Sequence, residues 1–453
     1  MVPLPGSGSY RRYYRIRGKK HTAIGAFHED RKENSAFLSF TGHFFRSGLP
    51  VPEIFAADEG NSVYLLKDLG DITLFDLLDS SRREITGFPE NALAMYRKAI
   101  GWLPRFQVAA GKGIDYSACY PRAAFDRQSM LWDLNYFKYY FLKLAKVPFD
   151  EQRLEDDFGR LSGFLEGAGS GHFMYRDFQS RNIMISGDET WFIDYQGGRK
   201  GPLQYDIASL LYDAKADIPV EIREELLSLY LEELNKQIRT DETVFRKYYH
   251  GFVLIRILQA LGAYGFRGYY ENKPHFLRSI PYAMRNLEYL MEKNRFPEGL
   301  TVLRSLLEKM VRDPSFREMR KPGGKLVLNV FSFSYRDPIP ADETGNGGGF
   351  VFDCRALPNP GRHPEYQDLT GLDKPVIAFL KKEPEVDAFL VQVFSLVDGS
   401  IRNYLDRDFS NLMVTFGCTG GQHRSVYCAE ELAKHIREKF SVHVNVRHTG
   451  LEK

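Results

Sequence analysis

The chain has 453 residues, about three times the ~150 typical of one core, and its 43% apolar and 26% charged residues are those of an ordinary folded protein. Lys plus Arg number 61 against 59 Asp plus Glu, a formal net charge of +2, which argues against a polycation built to coat nucleic acid or anionic membrane. No run of about 18 apolar residues marks a membrane span. No apolar signal core follows the N-terminus, and four scattered cysteines make neither a disulfide framework nor a zinc cluster, so a cytoplasmic protein is expected.

Residues 1–72 read as short strands around one helix. Tyr13–Arg17 and Thr22–Phe27 suit a hairpin, Glu33–Arg46 a helix closed by Ser47-Gly48-Leu49-Pro50, and Ser62–Leu69 a strand stopped by Gly70. Over residues 73–312 the pattern turns helical: Met130, Leu131, Leu134, Phe137, Phe141 and Leu142 recur at three- and four-residue spacing, and Glu221–Ile238 and Phe252–Tyr264 behave alike. A β-rich island, residues 172–196, interrupts it with strands at Ile183–Ser186 and Thr190–Asp194. Residues 313–325, with Pro322-Gly323-Gly324, read as a linker. Residues 326–453 alternate strands (Leu326–Ser334, Phe350–Arg355, Leu412–Phe416, Val442–Arg447) with helices near Pro375–Glu383 and at Val426–Lys439, the pattern of a separate α/β domain with a parallel or mixed sheet. Aromatics reach 14%, mostly at these core spacings, so the excess is read chiefly as packing material.

Tyr175-Arg176-Asp177-Phe178-Gln179-Ser180-Arg181-Asn182, then a tight hairpin and Phe192-Ile193-Asp194, is the most informative segment of the first two regions. Phosphoryl transfer needs a carboxylate to orient and deprotonate the attacking hydroxyl and oxygen ligands for Mg²⁺. Asp177 suits the first task, and Asn182 and Asp194 the second, because the hairpin returns the second carboxylate to the first. Asp206 lies in an apolar helix, where a carboxylate is costly unless paired, and is expected to be a structural brace.

These residues resemble the aminoglycoside phosphotransferase and choline kinase family, with its α+β bilobal protein-kinase-like fold, and within it the bacterial kinases that phosphorylate the anomeric hydroxyl of N-acetylmuramate and N-acetylglucosamine. The similarity runs over roughly residues 5–300 and includes Val51-Pro52-Glu53, Leu65 to Asp71 and Gly201 to Leu211. The resemblance implies ATP as donor and a hinge at Lys67, Asp68 and Leu69 beneath the adenine. Two positions depart: Tyr175 replaces the usual His, and Gly25 stands where a phosphate-holding lysine is expected. Ser7, Ser9, Arg11 and Arg12, in a Gly-Ser-Gly-Ser-Tyr-Arg-Arg stretch, are the alternative phosphate cradle, with Glu33 as a helix carboxylate for a basic partner. Asp133, Asn135, Tyr136 and Lys138 mark the helix where acceptor residues lie in the resembling family.

The second strong signal is Gly417-Cys418-Thr419-Gly420-Gly421-Gln422-His423-Arg424-Ser425, at a strand-to-helix turn. Glycines there let main-chain N–H groups converge on an anion; His423 and Arg424 add donors, and Ser425 is expected to cap the helix. Together with Phe331–Tyr335, Phe352–Pro360, Leu369–Asp373 and Val446–His448, this loop is similar to the C-terminal domain of the RNase adapter RapZ. The resemblance implies an amino-sugar-phosphate pocket at Cys418, Thr419, Gly420, Gly421, His423 and Arg424, bordered by Asp353 and Arg355. Residues 323–453 hold 15 Lys plus Arg and 17 Asp plus Glu, a net of −2, which argues against RNA as a partner.

The leading reading is thus an ATP- and Mg²⁺-dependent amino-sugar kinase joined to a domain that binds sugar phosphate, with small molecules rather than membrane or RNA as partners. Two alternatives stand beside it. One is a non-catalytic amino-sugar sensor. The other is phosphatase chemistry at Cys418, whose Cys-x5-Arg spacing fits a thiolate nucleophile but lacks the usual preceding His and a clear general-acid Asp.

Overall fold

The computed structural model describes residues 1–4, 11–18, 21–60, 62–82, 87–271, 273–317, 326–342, 349–406 and 409–452. It divides into two compact units, Met1–Arg317 and Glu318–Lys453. Each buries its own apolar core.

The first unit opens on a five-stranded antiparallel sheet in which the strand Arg12–Arg17 pairs with Thr22–Phe27, which pairs in turn with Val63–Lys67. The helix Arg31–Arg46 begins two residues earlier than its apolar pattern suggests. Asp30 caps it by accepting from the Lys32 and Glu33 N–H groups, and its Phe37, Phe40 and Phe44 enter the core. The rest of the unit is helical, packed around the long helix Glu242–Gly265. Its apolar stripe is longer than Phe252–Tyr264 because Phe245 and Tyr249 are buried as well. Into this helical lobe are set two small antiparallel pairs, His172–Met174 with Arg199–Gly201 and Ile183–Ser186 with Glu189–Phe192. The second hairpin ends at Phe192, short of the expected Asp194, because Asp194 itself turns into the left-handed region at φ 68°.

The second unit is a four-stranded, wholly parallel sheet in the order Phe350–Asp353, Asn411–Cys418, Val327–Ser334, His443–His448. The helix Arg424–Lys439 follows the strand Asn411–Cys418 directly after the glycine-rich turn. A 23-residue helix, Pro384–Asp406, has no counterpart in the sequence reading, although Val386, Leu390, Val393, Val397 and Ile401 are buried at helical spacing. No helix among the described residues is long and apolar enough to cross a membrane.

Candidate active site and phosphate loop

The loop between Met174 and Ile183 is held from below by Asp206. Its two carboxylate oxygens accept from the N–H groups of Tyr175 (2.8 Å) and Arg176 (2.9 Å), and one also accepts from Gln107 Nε2 at 2.9 Å. Tyr230 donates to the Gln107 oxygen at 2.6 Å, so the contact continues into the helical core. Burial raises the Asp206 pKa to about 7, while the N–H and amide donors pull it down. Tyr175, in place of His, donates its hydroxyl to the Ile193 carbonyl at 2.6 Å and so ties the loop to the residue before Asp194. Arg176 takes a positive φ of 79° and grips Asp133 with two 2.7 Å bonds while its third donates to Tyr205.

These constraints set Asp177, Asn182 and Asp194 around one corner. Asn182 Nδ2 donates to the Asp177 carbonyl (2.9 Å) and to Asp194 Oδ2 (3.1 Å), which leaves its amide oxygen as the group able to face a cation. Burial first, and then the negative charge of Asp177, raises the Asp194 pKa to about 6. The Asp194 carboxylate, set against the negative charge of Asp177 and beside the Asn182 amide oxygen, is a donor set suited to a hard divalent cation, whose charge would relieve that repulsion.

Arg11 lies on the other side of this corner. It is 3% exposed, pairs with Glu33 at 2.9 Å and has its guanidinium over the Phe37 ring. Gln196 Nε2 bridges Glu33 (3.2 Å) and Asp194 Oδ1 (2.7 Å), giving a continuous chain Arg11–Glu33–Gln196–Asp194 from the first helix to the loop. Gln196 was not singled out in the sequence; only its position two residues after Asp194 hinted at it. The neighbouring Arg12 points away, as alternation along a strand requires, and is exposed beside Phe27. Ser7 and Ser9 lie outside the described residues.

At the expected hinge, the Asp68 carboxylate is engaged by Arg15 at 2.7 and 3.1 Å, and Arg15 also grips Asp71. The Lys67 ammonium sits 4.3 Å above the Trp191 ring, and Leu69 is buried. On the expected acceptor helix, Asp133 is held by Arg176, and the buried Lys138 pairs with Glu151 (2.8 Å) and Glu155. Asn135 and Tyr136 are half-buried, the latter against Tyr140 and Phe266.

In the second unit the turn Cys418–Arg424 is tightly strapped. Ser334 Oγ donates to the Thr419 carbonyl at 2.9 Å, Gln422 Nε2 to the Leu369 carbonyl at 2.8 Å, and His423 Nε2 lies 2.8 Å from the Tyr366 carbonyl. Gly421 has φ 68°, and a Cβ there would meet the Ser334 nitrogen at 2.8 Å, whereas Gly420 faces open space. Ser425 does not cap the helix: it is buried in the first turn with its hydroxyl 3.1 Å from the Cys418 sulfur, and His423 occupies the cap position without a side-chain cap bond. Arg424 donates to the carbonyls of Arg355 (2.8 Å) and Leu357 (3.1 Å). Arg355 is exposed, chelates Asp353 and stacks 4.0 Å over Tyr335. Cys418 is 2% exposed, a sealed position for a nucleophile. The hydrogen bond with the Cys428 thiol, and then burial, push the Cys354 pKa up, so the fold brings together cysteines that are far apart in sequence; among the described residues no three or more His, Cys, Asp or Glu side chains cluster as a metal site.

Residues 1–242 match the phosphotransferase enzyme family. The chain belongs to that family. Residues 326–452 match the RapZ C-terminal domain, so a phosphotransferase-family domain is joined to a RapZ C-terminal domain in one chain. Among curated proteins, the RNase adapter protein RapZ of Hamiltonella defensa is 43% identical over 128 residues, 28% of this chain and 42% of that protein. A nucleotide-binding protein of Nitrosomonas europaea is 40% identical over 150 residues, 33% of this chain and 48% of its own length. The chain thus spans less than half the length of these curated relatives. Among solved structures, the choline kinase LicA of Streptococcus pneumoniae aligns at TM-score 0.43 and 15% identity over 64% of this chain and 95% of that one. The ethanolamine kinase of Plasmodium vivax aligns at 0.45 and 13% over 63% and 80%.

Proposed function

We propose that the first unit transfers the γ-phosphoryl group of ATP to a hydroxyl of an amino sugar, with the anomeric hydroxyl of N-acetylmuramate or N-acetylglucosamine as the favoured acceptor. The observation that carries this reading is the braced corner of Asp177, Asn182 and Asp194, linked through Gln196 and Glu33 to Arg11. Asp177 would orient the acceptor hydroxyl and take its proton. Asn182 through its amide oxygen and Asp194 through its carboxylate would hold Mg²⁺, which supplies charge neutralisation at the phosphates. Arg11 supplies the cation that Gly25 cannot. With Asp68 engaged by Arg15, the hinge would meet the adenine through its main chain rather than that carboxylate. The second unit would bind an amino-sugar phosphate at the turn Cys418–Arg424, beside the exposed Arg355, and the burial of Cys418 speaks against phosphatase chemistry there. A cytoplasmic setting suits both ligands.

The test is a Mg·ATP assay over a sugar panel, with NMR of the product to locate the new phosphate. Wild type should phosphorylate an amino sugar, and Asp177→Asn should lower kcat at least about 10³-fold without changing the circular dichroism spectrum. Silence of wild type across the panel would leave the sensor reading in its place.

A further inference from the structure

Arg199 opens the strand Arg199–Gly201 and pairs in register with Met174, three residues before Asp177. It is 7% exposed. Its hydrogen bonds go to two main-chain carbonyls, from Nε to Gly197 at 3.0 Å and from Nη2 to Tyr120 at 3.4 Å. Among the described residues no carboxylate comes within 4.0 Å of its guanidinium, whereas Arg11 and Arg176 each hold one. A buried cation without an ion-pair partner is costly, and burial, followed by the like charge of Arg176, pulls the Arg199 pKa below the ordinary arginine value.

The place of this cation matters as much as its isolation. A Cβ on Gly197, whose carbonyl Arg199 grips, would lie 3.6 Å from Asp177 Oδ2, so the guanidinium belongs to the wall beside the candidate base. Arg199 feels the charges of Arg176, Asp133 and Asp177, while Asp194 feels Asp177, Arg11 and Glu33. Arg199 reaches the Tyr120 carbonyl, and the adjacent Lys200 exchanges main-chain bonds with Ala123 (2.9 Å) and Phe125 (2.7 Å), so this strand lies against the segment leading into the helix Arg127–Phe137, where acceptor residues are expected.

We propose that Arg199 receives a negatively charged substituent of the acceptor, a carboxylate or a phosphate monoester, and makes the enzyme select an anionic sugar over its neutral parent. This rests on the phosphotransferase reading above and deepens it. A planar guanidinium with unfilled N–H donors suits either anion, and a hydrogen-bonded charge pair of this kind separates charged from neutral ligands by about 10-fold or more.

The experiment measures kcat/KM of the full chain with Mg·ATP for N-acetylglucosamine, N-acetylmuramate and N-acetylglucosamine 6-phosphate; the last two distinguish carboxylate from phosphate. Wild type should favour one anionic sugar by at least about 10-fold, chiefly through KM. Arg199→Gln should abolish that preference, and Arg199→Lys should retain part of it. The proposal is overturned if wild type shows no preference for an anionic sugar. It is also overturned if Arg199→Gln lowers kcat/KM for charged and neutral sugars in the same proportion, the pattern of a merely structural role. If wild type turns over none of the three, the amino-sugar reading fails separately. Arg199 is then judged by thermal shift with Mg·AMP-PNP present, over sugar acids, phosphate esters and their neutral parents. Stabilisation by an anionic member that is lost in Arg199→Gln sustains the proposal; no such member overturns it.

Discussion

Asp206 is the residue on which the loop between Met174 and Ile183 hangs, and its titration should be visible in stability. Its folded pKa is raised to about 7 from an ordinary value of 3.8, so between roughly pH 4 and 7 the folded state holds a proton that the unfolded state has released. Stability from this group is therefore largest at low pH and falls as pH rises through that window. Asp206→Asn removes the titration and turns an amide N–H toward backbone donors, at a cost of about 1–3 kcal/mol. Denaturant titrations should show the variant less stable than wild type at pH 5 and the gap narrowing toward pH 8; a gap that widens with pH would refute the assignment. The clustering of Asp177, Asn182 and Asp194 and the bracing by Asp206 were legible in the sequence because they are tied to short spacings and to an apolar helix. Gln196 and Arg199 were not: Gln196 matters through its bonds to the distant Glu33 and to Asp194, and Arg199 through the pairing of His172–Met174 with Arg199–Gly201, across 25 residues that carry no alternation strong enough to announce it. The difference between Arg11 and Arg12 was hidden for a simpler reason: neighbours on a strand face opposite ways, and only the fold says which way is inward.

At the scale of the element, the turn Cys418–Arg424 shows why two adjacent glycines are not equivalent. Gly421 combines φ 68° with a backbone neighbour at 2.8 Å from any Cβ, while Gly420 has neither constraint. Gly421→Ala should destabilise the second unit by about 2–4 kcal/mol and weaken sugar-phosphate binding to the full chain at least tenfold, whereas Gly420→Ala should change stability by less than about 0.5 kcal/mol. Calorimetry of both variants checks this, and equal effects would show that the turn is not strained as described. The motif was readable as a strand–turn–helix unit, but its strap was not: Gly371 N–H donates to the Gln422 carbonyl at 2.9 Å from a segment some fifty residues away. Ser425 was misread as a cap because sequence alone places a hydroxyl near a helix start without saying whether it faces the first-turn N–H groups or the interior. The helix Pro384–Asp406 was missed although its buried positions keep helical spacing, because several exposed apolar residues, Val391 and Leu396 among them, blur the stripe.

For the whole molecule, the change of periodicity along the chain separated β-rich, helical and α/β regions and left the sheet of the last as parallel or mixed, whereas the bilobal arrangement was implied by the family resemblance; the two units each carry a separate core. Separate cores imply separate cooperative transitions. With 317 and 136 residues in the units Met1–Arg317 and Glu318–Lys453, unfolding enthalpies of roughly 220 and 95 kcal/mol near 60 °C are expected at about 0.7 kcal/mol per residue. Ligands should then report which unit holds which site, since a molecule that binds only one folded unit raises the midpoint of that transition alone. Mg·ATP should shift the transition of larger enthalpy and glucosamine 6-phosphate the smaller one. A single transition whose calorimetric and van't Hoff enthalpies agree, moved by both ligands together, would mean that the units unfold as one and that occupancy of the turn Cys418–Arg424 is energetically linked to the corner of Asp177, Asn182 and Asp194.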